Sequence, residues 1–379
     1  MRFAFGIVNL FPGGGLQRDC VDIARGVRQL GHDVTIFTMR KRGEFADELP
    51  LHILTTSSFT NHQRQRSFSD KFLAASDDFD LRVGFDKLEG LDVLYCSDPS
   101  MQARVDRNPI LTLLPRYRQF IRLEKESFSQ HEKTKILLLS EIQRDEYRVA
   151  WATEPSRLTV LPPTISRGRR RPEFRADGTR TRMRTQLDFS ERDWVWLVIC
   201  VQPRIKGLDR TIRALQQFDD ARLMIVGLDE AVYRSKDMVK LAHRLDVANR
   251  ISWLGHREDI PELMAAADLL VHPARYDTTG TVILEGIVNG LPVITTSACG
   301  YARHVTAADA GVVLSEPFSA QSFGKALELA RDPARAAGWS ASAVRYGDNP
   351  ELYKGKSRAV ELIVAAGEQG RERALKRSA

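Results

Sequence analysis

The feature of this chain that most limits its fold is a succession of short, continuous apolar runs separated by stretches with helical periodicity. RFAFGIV, DVTIFT, DVLYC and KILLLS occupy the first half, and WVWLVICV, RLMIVG, ISWLG, DLLVHP, PVITT and GVVL follow in the second. A strand with one face in water alternates apolar and polar residues, whereas a strand covered by helices on both faces stays apolar throughout. The runs therefore predict parallel sheets in an α/β chain. At 379 residues there is material for two such domains, each with its own core, and two domains imply a cleft.

The rhythm breaks at LPPTISRGRRRPEFRADGTRTRMR, residues 161–184, where eight arginines and a proline pair replace the apolar runs. This stretch reads as the interdomain connection and its aftermath, a solvated basic run that could also attract phosphate near a cleft. No apolar run reaches the 18 or more residues of a membrane span, and an apolar fraction of 43% suits a soluble globular protein. The N-terminus, MRFAFGIVNLFPGGG, passes from a short apolar run straight into glycines, without the h-region and cleavage site of a signal peptide. Cys20, Cys96, Cys200 and Cys299 are far apart with no C-x-x-C pair. That argues against a zinc site or a disulfide framework, suits a reducing cytoplasm, and leaves the four as small buried hydrophobes. A net charge of +7 points to an anionic partner, and nucleic acid, a membrane surface and a phosphorylated substrate all fit its sign.

Gly13, Gly14 and Gly15 follow the first strand and precede LQRDCVDIARGVRQLGH, where Leu16, Cys20, Ile23, Ala24 and Val27 share a helix face. Such glycines let backbone approach a ligand at a helix N-terminus, although a plain structural turn is the competing reading. The spacing is not G-x-G-x-x-G, and G-x-x-x-x-G-K-[ST] occurs nowhere, so dinucleotide binding and P-loop hydrolysis lose ground. In CVQPRIKGLDRTIRAL, Arg204 and Lys206 fall between a strand and a helix, the edge at which open α/β sheets bind ligands. Two cations there suit a diphosphate, Lys206 as a point charge and Arg204 as a forked donor. Further on, DLLVHPARYDTTG reads as strand and loop, with Thr278 and Thr279 as candidate N-caps, and TVILEGIVN as a helix stopped by GLP. Asp277 then lies in the loop and Glu285 roughly a turn and a half inside the helix. Amides from Gly280 to Val282 suit phosphate, and the two carboxylates suit neutral sugar or ribose hydroxyls. No H-E-x-x-H or clustered acidic motif calls for a metal.

These carboxylates in a D-x7-E spacing before GLPVITT, with GGLQRD, VGFDKLEGLDV, RIKGLDR, LGHREDIPELMAAADLLVHPA, ACGYARHV and SEPFS, span nearly the whole chain. In this the sequence resembles the retaining glycosyltransferases of family 4, and among them the lipopolysaccharide-core glucosyltransferases of Gram-negative bacteria. The resemblance implies the GT-B fold, two Rossmann-like domains facing a cleft. An acceptor-binding domain would span 1–165 and a nucleotide-sugar domain 166–347, with a C-terminal helix from about 348 to 379 crossing back to the first. By the same resemblance Glu285 holds the ribose, Arg204 and Lys206 the diphosphate, and the loop Gly255–Arg257 the uracil, largely through backbone. Asp277 faces the donor sugar with the segment after it, Thr279, Gly280, Thr281 and Val282. Gly14 and Gly15 close over the phosphates, and Asp19 lies on the acceptor side. His62, Lys87 and Asp98 fall in similar stretches, as candidates for donor or acceptor contact or for packing.

The reaction so implied needs neither metal nor cofactor. A hexose passes with retention from a UDP-sugar, UDP-glucose first among them, to the heptose region of the lipopolysaccharide core, the nucleotide leaving from the face that the acceptor attacks. Two departures from the family pattern stand out. Asp277 replaces a Glu, which withdraws the carboxylate by roughly 1.5 Å and loosens the link to one donor. Ile205 also stands where close relatives place Arg, with Arg204 one position earlier. Another UDP-sugar, another glycolipid acceptor and a GT-B UDP-sugar epimerase are the alternatives; a nucleic-acid binder lacks any recognisable module.

Residues 101–125, MQARVDRNPILTLLPRYRQFIRLEK, interleave Arg104, Arg107, Arg116, Arg118, Arg122 and Lys125 with Ile110, Leu111, Leu113, Leu114, Tyr117, Phe120 and Ile121. Against Asp106 and Glu124 the segment carries roughly +4 at neutral pH. It reads as a surface that lies on an anionic inner membrane from the cytoplasmic side, with an ordinary amphipathic core helix as the alternative.

Overall fold

The structure is a computed structural model that describes residues 1–12, 14–43 and 49–378, the side chains of 373–378 excepted. The chain divides into two compact units, Met1–Thr164 with Lys354–Ala379, and Ile165–Tyr353.

The first unit has strands β1 (Arg2–Leu10), β2 (Asp33–Lys41), β3 (Leu51–Ile53), β4 (Leu81–Gly84), β5 (Val93–Cys96), β6 (Lys135–Leu138) and β7 (Leu158–Val160). Helices α1 (Gly15–Gln29), α2 (Asn61–Ala75), α3 (Met101–Arg107), α4 (Pro115–Phe128) and α5 (Glu141–Trp151) connect them. All strand pairs are parallel, in the order β3-β2-β1-β4-β5-β6-β7. Successive β1 residues serve opposite faces: Phe3, Phe5 and Ile7 pack under α1, while Ala4 and Val8 pack with Phe68 and Phe72 of α2. This is why the run is apolar without alternation.

Unit two opens with α6 (Thr179–Gln186) and then alternates β8 (Trp194–Ile199), α7 (Leu208–Ala214), β9 (Ala221–Val226), α8 (Lys236–Arg244), β10 (Ile251–Trp253), α9 (Ile260–Ala266) and β11 (Leu269–His272). It continues with α10 (Thr281–Val288), β12 (Val293–Thr296), α11 (Ala302–Ala307), β13 (Gly311–Leu314), α12 (Ala320–Arg331) and α13 (Pro333–Tyr346). Its parallel sheet is ordered β10-β9-β8-β11-β12-β13. Val195 and Leu197 of β8 face one core, and Trp194, Trp196 and Val198 the other. Strand order in both sheets reverses beside the first strand, at β1/β4 and at β8/β11, and it is there that neighbouring loops part and leave a crevice.

Three expectations need correction. The return to the first unit begins at Lys354, not near 348, because Leu352 and Tyr353 still pack in the second unit's core. From there α14 (Gly355–Ser378) lies on α1, where Val360 occupies the space that a side chain at Gly26 would fill. β3, β4 and β7, with three or four residues each, were not anticipated. Finally, the arginine stretch is not simply solvated. Arg184, 1% exposed, bonds the Ala266 carbonyl at 2.9 Å and Asp268 at 2.7 Å. Arg180 reaches the carbonyls of Ala265, Ala266 and Ala267 and also Asp268, and Arg175 those of Met264 and Ala267. Their guanidinium groups cap the C-terminal carbonyls of α9, which have no partner within the helix.

Candidate active site

At the β8/β11 crevice two loops distant in sequence meet. Lys206, in the loop after β8, places Nζ 2.6 Å from Oδ2 of Asp277, in the loop after β11. The same oxygen lies 2.9 Å from Nε2 of His272, the last residue of β11, which is 1% exposed. Gly207 makes the approach possible: its φ is +74°, and a Cβ there would come within 2.0 Å of the Pro273 carbonyl. Arg275 then ties the loops together, its amide donating to the Ile205 carbonyl at 2.8 Å and its guanidinium to Asp209 at 2.7 and 2.8 Å. Burial alone would raise the Asp277 pKa, but His272 and Lys206 outweigh it and hold the group well below the usual carboxylate range. Burial likewise opposes charge on His272, yet Asp277 and Cys299 raise its pKa to about 9.

After Asp277 the chain is pinned to a neighbouring turn, the Asp277 amide donating to Ala298 and its carbonyl accepting from Gly300. Tyr301 donates to the Thr279 carbonyl at 2.7 Å. Neither Thr278 nor Thr279 caps α10, contrary to expectation. Gly280 is the cap residue, in the left-handed region at φ +74°, because the chain must turn sharply out of the pinned loop, and Thr279 Oγ1 instead faces Thr281 Oγ1 at 3.3 Å. The amides of Thr281 and Val282, the first two residues of α10, have no acceptors within the helix itself. Glu285 follows in the same helix, 3.9 Å from Arg169.

Arg204 is not brought to Lys206. Its exposed guanidinium pairs with Asp237 of α8 at 3.0 Å, so separate carboxylates hold the two cations. Arg257 makes a forked pair with Asp259, and Gly255 is fixed by bonds to Leu228 and Gly227. Sequence reasoning passed over His272 and Arg275; the HPAR step at the end of an apolar strand was the available signal.

In the first unit, Gly14 is the cap residue of α1 and Gly15 its first residue, while Gly13 lies outside the described residues. Asp19, on α1, accepts from Tyr95 Oη at 2.8 Å and pairs with Lys356 of α14 at 3.2 Å. Burial leaves its pKa raised despite these partners. Lys87 is buried against Glu124 at 2.6 Å, and Glu124 also receives Ser100, Met101, Gln102 and Trp151. Asp98 is exposed, and its carbonyl accepts from Gln143 and Tyr147. His62 faces Thr60 at 3.4 Å.

On the expected membrane segment, Ile110 and Leu113 are each 74% exposed and Leu114 is 48% exposed, beside exposed Arg104, Arg116 and Arg118. Arg107 and Arg122 differ, being paired with Glu146 and Glu89, and Phe120 is half-buried. No helix among the described residues is long and apolar enough to cross a membrane, and no group of three potential metal ligands occurs among them.

Known proteins resemble this chain in sequence and in fold. The Glycosyl transferases group 1 family matches residues 179–340, the unit that holds Lys206, Asp277 and Glu285. The lipopolysaccharide glucosyltransferase WaaG of Escherichia coli (strain K12) is 33% identical over 374 residues, covering 96% of this chain and 98% of that protein. The crystal structure of WaaG, a glycosyltransferase involved in lipopolysaccharide biosynthesis, superposes with a TM-score of 0.87 at 32% identity, over 95% of this chain and 99% of that one. Anabaena Alr3699/HepE, in complex with UDP-glucose, shares the fold with a TM-score of 0.73 at 19% identity, over 99% of this chain and 100% of that one. The likeness to WaaG spans both Rossmann-like units, and the chain belongs to the group 1 glycosyltransferases, with the GT-B fold.

Proposed function

We propose that this hexosyltransferase moves glucose, with retention, from UDP-glucose to the heptose region of the lipopolysaccharide core. The observation that carries the reading is the Lys206–Asp277 contact at the switch point of the second sheet, with Glu285 in the adjoining helix. Lys206 pairs with Asp277, and a diphosphate takes Lys206 and the N-terminal amides of α10. As the bond from the sugar's anomeric carbon to the nucleotide breaks, negative charge grows on the leaving phosphate, and these fixed positive groups lower the barrier. That oxygen accepts the acceptor hydroxyl's proton on the face where the new glycosidic bond forms, which retains configuration. Asp277 turns to a hydroxyl of the donor sugar, Glu285 to the ribose, and the segment at His256 and Arg257 to the base. Arg204 joins the diphosphate by leaving Asp237, an exposed pair worth at most about 1 kcal/mol. Gly14 and Gly15 offer the N-terminal amides of α1 to an anion, and Asp19 accepts from the acceptor sugar. Lys206 and helix amides supply the positive charge, so the scheme calls for no metal.

The acceptor is a lipid, and the reading takes the protein to an anionic membrane surface through Ile110, Leu113 and Leu114 flanked by Arg104, Arg116 and Arg118. Charge reversal at Arg116 and Arg118 is expected to release it from anionic liposomes; unchanged cosedimentation at physiological salt counts against this part. The chemistry is tested by incubating purified protein with radiolabelled UDP-sugars and core-truncated lipopolysaccharide. Label on lipid supports the proposal. A free epimer points to the epimerase alternative, and no turnover rejects both.

A further inference from the structure

We infer that His272 is a positioning residue: it fixes the Asp277 carboxylate for the donor sugar once Lys206 has turned to the diphosphate. The inference rests on the reading above and goes beyond it, since His272 itself touches neither nucleotide nor sugar.

The geometry supports it on three counts. Oδ2 of Asp277 accepts from two donors at once, Lys206 Nζ at 2.6 Å and His272 Nε2 at 2.9 Å. The donors differ in freedom. Lys206 is a flexible side chain in a glycine-bounded loop, 22% exposed, whereas His272 is a strand residue, 1% exposed and walled in by the sheet. Asp277 is also held at its backbone by Ala298 and Gly300, so one lasting side-chain donor suffices to fix the carboxylate plane. Were Lys206 the only partner, drawing it to a diphosphate would leave the carboxylate with no side-chain donor to hold its plane for the sugar. With His272 in place the second bond survives the transfer. The Cys299 thiol lies beside the ring. The ring faces Asp277 from one loop and Cys299 from the other, with Lys206 beyond the carboxylate.

The arrangement also accounts for Asp at 277. A side chain one methylene longer, anchored on the same pinned backbone, would carry its oxygen past the His272 nitrogen by roughly 1.5 Å.

Three variants test this: His272→Ala, which removes the donor; His272→Gln, whose amide reaches the place of Nε2 without a ring; and Asp277→Glu. Hexose transfer gives kcat, and calorimetry gives the Kd for UDP, which lacks the sugar that the Asp277 carboxylate is to hold. Expected are a loss of at least about tenfold in kcat for His272→Ala, a UDP Kd within about twofold of wild type, and recovery of most of the loss in His272→Gln. Asp277→Glu is expected to lose kcat with UDP affinity kept. Wild-type kcat in His272→Ala overturns the inference, as does an equal loss in UDP affinity, or a Gln variant no better than Ala. If His272→Ala does not fold, the Gln and Glu variants decide by the same two measurements. Wild-type protein that neither binds UDP nor transfers hexose strikes the parent reading instead.

Discussion

The two units share a strand order around their switch points and place opposite charges there. In the second, the strand beside the first ends in His272, and the crevice holds a cation–carboxylate–imidazole cluster. In the first, the equivalent strand β4 is followed by Asp86, whose carboxylate accepts the Val8 amide at 2.6 Å, and the nearby crevice residue is Asp19. Burial pushes the Asp86 carboxyl up to about 7, against the Val8 bond and with Asp98 adding to the rise. One topology thus sets a lysine and an imidazole around a carboxylate at one switch point and carboxyl groups at the other. Topology decides where a ligand binds, and the loop residues decide which ligand.

The strongest way to break the comparison is Lys206→Ala. If the second unit alone manages the leaving diphosphate, kcat for hexose transfer falls by about 100-fold or more, and UDP affinity falls with it in calorimetry. Residual activity within a few-fold of wild type would remove the asymmetry. Asp19→Asn probes the other side: a KM for the lipid acceptor raised about tenfold, with UDP affinity unchanged, is the expected split. A lowered UDP affinity there would mean that Asp19 serves the nucleotide.

Two stability measurements sharpen the contrast with smaller effects. Asp86 holds its proton more tightly folded than unfolded, so its contribution is fully present below about 3.8 and is lost as pH rises through about 7. Asp86→Asn keeps an acceptor for Val8 and never ionises; its melting temperature should match wild type near pH 4 and exceed it by about 4 °C at pH 8. His272 has the same sign in a later window, its contribution present below about 6.5 and lost as pH rises through about 9. Wild type should therefore lose more melting temperature than His272→Gln between pH 6.5 and 9, by about 2 °C. A flat difference across that window would show that the ring is not charged in the folded protein.

All six strands of the second unit could be read from sequence, since each falls in a largely apolar run. In the first unit, LHI, LRVG and LTV are too short and mixed to announce themselves, and only their pairing to β2, β1 and β6 makes them strands. The site was partly legible in the same way. Lys206, Asp277 and Glu285 could be placed at strand ends and helix starts from local pattern, but Thr278 and Thr279 could not be denied their capping role before the 298–301 turn was seen to pin the loop.

Sequence by itself determined that this is a two-unit parallel α/β chain with cations and carboxylates at sheet edges, because apolar continuity and turn residues act over a few positions. Only the tertiary structure decided that Lys206 meets Asp277 across 71 positions, that Arg204 goes to Asp237, that His272 stands behind the carboxylate, and that arginines of the connection cap α9. Those pairings depend on which strands lie side by side, and hydrogen bonds formed at a few ångströms leave no trace in the spacing of residues along a chain.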